Sequence, residues 1–447
     1  MGVKRLPAGA ALWAILALAF TLRLAAAVWW QSRLAPGQRF EFGDSDTYWV
    51  LATHIAQGEA YQYGSPDARV FRMPGYPALL AVMFRLFGAD MPVLYARFLS
   101  AALGTAAVAA VFAVARLLFE RRTALVAAFL AACYPGAIAM SMVVLSEAPF
   151  CPLYLLQLAA WLKSWQAAAA CGRLGEKSGD GQAMIWAILW AAVSGVLAGL
   201  ATLMRPDWLL FVPFAAVLGL IVTPTGDGPG GPSHGGADSL IPARVRCQLA
   251  LVMLSCLTAV MAPWWWRNYR QIGEFVPTTL QVGASLYDGL NPRATGESDM
   301  WFVPRFVAEE RRQGPDERAF EARLNARMFD AAVDWALKNP RRVIELALIK
   351  LVRMWNIWPN NPQHRGGLLR WVTAATYPPL IVLAAVGVWR ERHQLWPAAL
   401  VWLPAVYLTL LHVVFVSSIR YREPAMLGLL IFAAAALTRG GRPSPIR

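Results

Sequence analysis

The chain has 447 residues, 57% of them hydrophobic and 15% charged, with a formal net charge of +14. An ordinary soluble protein carries about 25% charged residues, so this composition excludes an ordinary soluble fold and points to a polytopic membrane protein. The basic residues sit at the ends of apolar runs and no nucleic-acid-binding motif accompanies them, so the excess reads as membrane orientation and no nucleic-acid partner is expected.

In chain order, Lys4 and Arg5 precede an apolar run from Ala11 to Trp30. It is long enough to span and reads as an uncleaved first helix, not a signal peptide. Arg23 lies inside that run, about 10 Å below Trp30 at helical rise. A charge at that depth is costly, and pairing with a carboxylate is the expected solution. Ten segments are expected to span: 11–30, 93–115, 123–141, 147–165, 184–203, 207–222, 247–266, 371–389, 395–416 and 424–438. Arginines and lysines crowd every second connection, which puts both termini on the inner side. Trp29, Trp30 and Trp264–Trp266 then lie at the outer interface, where indoles favour the headgroup level.

Two longer polar and aromatic segments, 31–92 and 267–370, fall on the outer side. The second carries an amphipathic helix near 316–338. A further helix follows in which Val343, Leu346, Ala347, Ile349 and Lys350 suggest a course along the interface. The inner stretch 223–242 is rich in Gly and Pro and reads as a low-complexity linker. The organisation expected is a transmembrane region with the first outer loop (1–266), an extracytoplasmic loop region (267–370) and C-terminal spans (371–447). Its fold class is all-α with about ten spans.

Several strings taken together resemble one family. "GDSDTYWVLATHIAQGEAY" and "FRMPGYPALLAVMFRLFG" are followed by "LSEAPF", "GLATLMRPDWLLFVP", "APWWWRNYRQIGEFVPTT", "GASLYDGLNPRATGES", "NPRRVIELALIKLVRMW" and "RYREPAM". In this order they resemble the GT-C class of membrane glycosyltransferases. The nearest group is family 39 and its bacterial relatives, the protein O-mannosyltransferases and lipid A aminoarabinose transferases. The resemblance implies transfer of a sugar from a polyprenyl-phosphate carrier to an acceptor lipid, protein or glycan on the outer side of a bacterial inner membrane. It also implies a functional carboxylate in the first outer loop, which Asp44 matches best. The family often has an adjacent acidic pair; here Ser45 separates Asp44 from Asp46.

The chemistry asks for a carboxylate base for the acceptor, cations for the departing phosphate, an apolar groove for the carrier tail and a polar vestibule. Asp44 and Asp46 are the catalytic candidates. If the helix has already begun at Asp44, the two point about 200° apart and cannot share one site. Arg205, Arg267, Arg420 and Arg422 fall at outer helix ends and suit bidentate phosphate contact. Arg72, Glu147, Tyr287, Asn291 and Tyr421 complete the substrate-binding candidates. A Mg or Mn ion between Asp44, Asp46, Glu147 and phosphate is compatible with hard carboxylate oxygens, but no metal site is assigned. His54, His364 and His412 are isolated, and the five cysteines form neither a zinc site nor a disulfide pattern. Two other classes remain open: a lipid-carrier polymerase or ligase, whose key loop lies late in the chain, and a flippase or transporter, which calls for ionisable residues at mid-depth in several spans.

Overall fold

The computed structural model describes residues 9–65, 68–88, 90–174, 180–222, 241–313, 317–358, 367–392 and 395–438. Among them the regular structure is helical, as expected. The helices are α1 (Ala10–Arg33), α2 (Gly43–Gln57), α3 (Gly75–Phe87), α4 (Val93–Leu118), α5 (Arg121–Cys133), α6 (Pro135–Met142), α7 (Glu147–Leu174), α8 (Asp180–Met204), α9 (Phe211–Val222), α10 (Ala243–Ile272), α11 (Val282–Gly289), α12 (Val303–Arg311), α13 (Glu317–Lys338), α14 (Pro340–Met354), α15 (Gly367–Arg390), α16 (Leu395–Val414) and α17 (Ile419–Thr438). A 3-10 turn, Pro206–Trp208, separates α8 from α9. Residues 223–240 of the expected linker and His364 lie outside the described residues.

Among the described residues, six helices can cross a bilayer by length and composition: α1, α4, α8, α10, α15 and α16. Helices α5 and α6 qualify only as a pair bent by 52°. The remaining expected spans map to α7, the 12-residue α9 and α17. Helix α17 opens with Arg420, Arg422 and Glu423, and charge at a span's end dilutes the apolar signal by which spans are recognised. In the bundle α7 packs between α4 and α8, α8 lies against α10, and α17 contacts α5, α15 and α16. Small residues line these contacts, with Ala124, Ala127, Ala128, Ala131 and Ala132 of α5 fully buried. Without a strong apolar drive between helices in lipid, close backbone approach through small side chains supplies the packing.

The bend between α5 and α6 explains Arg23. Pro135 has no amide hydrogen, so the carbonyl of Ala131 loses its helical partner. The Arg23 guanidinium, buried in the bundle, donates to the carbonyls of Ala131 and Ala132, each at 3.1 Å, and to Ala19 at 3.1 Å. The expected pairing with a carboxylate is therefore corrected. The cation is met by backbone carbonyls that a broken helix leaves over, which is how irregular backbone is tolerated at membrane depth.

The two longer segments between spans, 31–92 and 267–370, pack against each other at one end of the bundle. Helices α2 and α3 join through Trp49 on Phe84 and Tyr48 on Tyr76. Helices α11 to α13 close around Tyr287, Phe302 and Phe306. The segments meet at residues 69–73. The Leu280 amide donates to Val70 O at 2.9 Å, Arg267 Nη1 to Arg69 O at 2.6 Å, and the amides of Arg69 and Val70 both donate to Glu321 Oε2 at 2.9 Å. In α14, Leu346, Lys350 and Met354 turn inward, with Lys350 Nζ on the Val414 carbonyl at 2.7 Å. Ile344, Leu348 and Val352 are exposed on the other side. Of the set read in the sequence, Leu346 and Lys350 face inward, Val343 and Ala347 are half-buried, and Ile349 is exposed.

Gly195 and Gly199 form a GxxxG face on α8 against α10. A Cβ on Gly195 would run into the Met253 carbonyl, and one on Gly199 would lie 2.6 Å from Val260 Cβ. Gly195→Val should force α8 and α10 apart and cost about 1–3 kcal/mol. The measurement is thermal unfolding in detergent, with Gly181→Val, where no atom lies within 4 Å, as the neutral control.

Candidate active site

Four helix ends converge at the end of the bundle where the 31–92 segment packs: the N-termini of α2, α7 and α17 and the C-terminus of α8. Helix α2 begins at Gly43 after an extended Phe42, and Asp44 and Asp46 both fall in its first turn without capping it. Because the helix has begun, the two aspartates leave it on opposite sides. Asp44 turns toward the bundle. Asp46 is exposed, its nearest described partner the Tyr63 hydroxyl, which donates to Oδ2 at 3.4 Å.

An alternating chain of charges runs inward from Asp44. Arg72 Nη2 donates to Asp44 Oδ1 at 2.5 Å, and Arg420 Nη1 donates to Asp44 Oδ2 at 2.9 Å. Arg420 Nε donates to Glu147 Oε1 at 2.5 Å, and Arg205 Nη1 donates to the same oxygen at 2.5 Å. Arg205 continues to Asp207 Oδ2 through Nη2 at 2.6 Å and Nε at 3.1 Å. Three guanidiniums alternate with three carboxylates. The side chain of Glu147 is fully buried, whereas that of Asp44 is 32% exposed, so the chain opens to solvent at Asp44. Burial pushes the Asp44 carboxyl up, but Arg72 and Arg420 beside it outweigh that and hold it well below the usual carboxylate range.

Neighbouring side chains fix these groups. Arg72 Nη1 donates to Gln281 Oε1 at 2.8 Å, and its guanidinium lies over Tyr48 and Phe71. The Tyr48 hydroxyl donates to Ser146 Oγ at 3.2 Å, tying α2 to the start of α7. Tyr421 lies beside Arg205 and Arg420 and stacks on His412 with centroids 4.0 Å apart. The Tyr407 hydroxyl holds the Asp207 carbonyl. A separate cavity of about 740 Å³ lies along the other side of α2, between Thr53, Gln57 and Met91; Asp44 does not line it.

Of the residues singled out in the sequence, the structure brings together Asp44, Arg72, Glu147, Arg205, Arg420 and Tyr421. It places the others elsewhere. Arg267 is occupied by the Arg69 and Tyr61 carbonyls between Tyr61 and Trp264. Tyr287 is packed on Phe302 and Phe306, and Asn291 Nδ2 caps the carbonyls of Tyr287 and Asp288. Arg422 is fully buried, donating to Met354 O and Asn356 O over the Tyr377 ring. Among the described residues no group of three or more His, Cys, Asp or Glu side chains is placed to hold a metal, and Asp44, Asp46 and Glu147 do not meet. Asp207 and Gln281 were not read from the sequence. Asp207 had a signal, since it follows Arg205-Pro206 at a tight turn; Gln281 had none.

Residues 72–175 match the family model described as dolichyl-phosphate-mannose-protein mannosyltransferase. No curated protein sequence matches the chain. The oligosaccharyltransferase AglB of Archaeoglobus fulgidus, in complex with an inhibitory peptide and a dolichol-phosphate, is similar in structure with a TM-score of 0.58 at 13% identity over 96% of this chain. The apo form of that organism's enzyme gives 0.58 at 14% identity over 96% of this chain. In both cases the match covers 50% of the neighbour, so the chain spans about half the length of those enzymes. ArnT from Cupriavidus metallidurans bound to undecaprenyl phosphate aligns over 97% of this chain and 78% of its own at 15% identity, with a TM-score of 0.47. The resemblance to GT-C membrane glycosyltransferases of the family 39 type is borne out by the matched segment and by the GT-C-like fold of the whole chain. The matched segment includes Arg72 and Glu147 and ends before Arg205 and Arg420.

Two outcomes follow from the site's electrostatics. Glu147→Ala would remove the acceptor that Arg205 and Arg420 share, leave three largely buried guanidiniums against Asp44 and Asp207 alone, and should cost about 3–5 kcal/mol. Asp44→Ala, at the solvent end, should cost clearly less; thermal unfolding of both variants in detergent checks the order. Burial raises the Glu321 carboxyl from the ordinary 4.5 to about 7, against the pull of the Val70 and Arg69 amides. An acid whose folded value is raised holds its proton longer when folded. Stability should therefore fall as pH rises from about 4.5 to 7, by at most about 1.4 kcal/mol per pH unit. Glu321→Gln should flatten that slope in unfolding curves taken across the same range.

Proposed function

We propose that the protein is an integral membrane glycosyltransferase that moves a sugar from a polyprenyl-phosphate-linked donor to an acceptor on the extracytoplasmic side, with both termini in the cytoplasm of a bacterial cell. The observation that carries this reading is the Asp44 carboxylate shared between Arg72 and Arg420 where three helix N-termini meet. Guanidiniums and helix N-termini both favour an incoming phosphate. The alternation of Arg and Asp/Glu supplies a base and its counter-cations in one place. The similar fold of an oligosaccharyltransferase solved with a dolichol-phosphate supports a lipid-phosphate donor.

In the reaction the acceptor oxygen or nitrogen attacks the anomeric carbon of the donor sugar. The bond from that carbon to the phosphate oxygen breaks, its electron pair leaves with the phosphate, and the acceptor's proton passes to Asp44. A single displacement of this kind inverts the anomeric centre. Asp44 held by two guanidiniums is a weak base. Donor phosphate arriving at Arg420 and Arg72 competes for those same donors, releases Asp44 and raises its proton affinity. Base strength is then gained only when the leaving group is seated. Arg420 and Arg72 meet the charge that develops on the departing phosphate.

The test is transfer of radiolabelled sugar from a polyprenyl-phosphate sugar to acceptor in proteoliposomes. Asp44→Asn should lower turnover by about 100- to 10,000-fold, and Asp46→Asn by less than about tenfold. Full activity in Asp44→Asn, or carrier lipid moved across the bilayer with its sugar still attached, would sink the proposal.

A further inference from the structure

Two adjacent side chains at the start of α17 keep a polar atom in reserve. Arg420 gives Nε to Glu147 and Nη1 to Asp44, and its Nη2 donates to no described residue. The hydroxyl of Tyr421 makes no hydrogen bond either. Both atoms reach solvent, unlike Arg72 Nε and Glu147 Oε2, which are sealed in the protein without a partner. The Tyr421 ring centre lies 5.8 Å from the Arg420 guanidinium carbon and 5.9 Å from that of Arg205. Of the charged groups around the phenol, Arg420 acts on it most strongly, followed by Asp44, Arg205 and Glu147, and the phenol acts in turn on Arg72. The free hydroxyl therefore belongs to the open part of the charge chain.

No hydrogen bond of its own aims the Tyr421 side chain, so packing must. His412 supplies it. This residue lies in the last turn of α16 and is buried. Its Nδ1 meets the Val416 carbonyl at 2.9 Å. A carbonyl only accepts, so Nδ1 carries the proton, and the bond fixes the plane of the ring. That ring stacks on Tyr421 with centroids 4.0 Å apart and planes 9° from parallel. His412 makes no hydrogen bond to Asp44, Arg72, Glu147 or Arg420. Its contact with the chain is the Tyr421 ring.

We propose that His412 is a positioning residue for the carrier phosphate: its stack holds the Tyr421 hydroxyl where it donates to a phosphate oxygen seated at Arg420. The inference rests on the lipid-phosphate reading of the site. A hydroxyl bond to an anionic oxygen is among the strong ones. A phenol also adds a donor without adding a charge, so the balance of three guanidiniums and three carboxylates is kept. Arg420 Nη2 is the charged donor left free to take the same ligand.

The experiment is binding of radiolabelled undecaprenyl phosphate, which carries no sugar, to the full-length protein in nanodiscs. Transfer is assayed alongside in proteoliposomes. Tyr421→Phe keeps the stack and loses the hydroxyl; it should weaken binding about tenfold, the scale of one hydrogen bond to a charged group. His412→Ala should weaken binding by a similar factor, and His412→Phe, which keeps a flat ring on Tyr421, should restore it to within about threefold of wild type. Because His412 acts through the hydroxyl, adding His412→Ala to Tyr421→Phe should cost less than about twofold more. A merely structural role for His412 would make the two losses multiply, and that result would overturn the proposal. Unchanged binding in Tyr421→Phe would overturn it too, because the hydroxyl would then not touch the phosphate. If the wild type binds no carrier, the lipid-phosphate reading falls and this inference falls with it; if the wild type binds and transfers while the variants match it, only this inference falls. Should His412→Ala not fold, His412→Leu, which keeps bulk without a flat ring, takes its place.

Discussion

The architecture turns on the cost of burying charge. Glu147 is completely enclosed, and its Oε1 accepts from both Arg205 and Arg420. Glu147 is ionised there because both guanidiniums meet it, and it balances one of their two charges, the rest being met by Asp207 and Asp44. This pairing brings residues from the start of α7, the end of α8 and the start of α17 to one point, 58 and 273 residues apart from Glu147 in sequence. Asp44 then joins α2 to the same point. Four helix ends are fixed relative to one another by charges that have no cheaper arrangement.

Helix ends are where such pairing is least expensive. The N-termini of α2, α7 and α17 present free amides and positive partial charge, so Asp44 and Glu147 are favoured there before any arginine arrives. The fold adds a second layer of support. The Arg72 loop is held by Glu321 of α13, by Arg267 of α10 and by Leu280 and Gln281 ahead of α11. Arg267 thus lies one step behind Arg72, where it shapes the loop that carries the cation.

What was legible in the sequence follows from what is rare there. Charges at the ends of apolar runs are few, which is why Glu147, Arg205 and Arg420 could be picked out before any contact was known; Asp44 came from the family resemblance as well as that scarcity, and Arg72 from its place before the proline-rich turn. Turn chemistry misled. Tyr287 and Asn291 sit in a string rich in glycine, and that string builds a compact outer subdomain around Phe302 and Phe306. Gln281 could not be found, because an uncharged amide in a loop carries no mark of the residue it will face. Arg23 shows the same limit from the other side. Its partners are backbone carbonyls beside Pro135, and a sequence displays side chains only. The expected spans were read from apolar runs, and the break at Pro135 and the charged start of α17 are local features that hydropathy averages away.

The exposure gradient along the charge chain bears on how such a site can work. Glu147, Arg205 and Asp207 form its closed end, where exchange of a partner would leave a charge bare in a dry surrounding. Asp44 is the member with an open side, and Arg72 and Arg420 are the guanidiniums that touch it. An arriving anion can therefore replace only the Asp44 contacts without dismantling the fold. The same two bonds that depress Asp44's proton affinity in the free protein are the ones a phosphate would take. On the proposed reading the inner pairs carry stability and the outer pairs are the ones that trade, so structural support and chemistry would be divided along one chain of alternating charges.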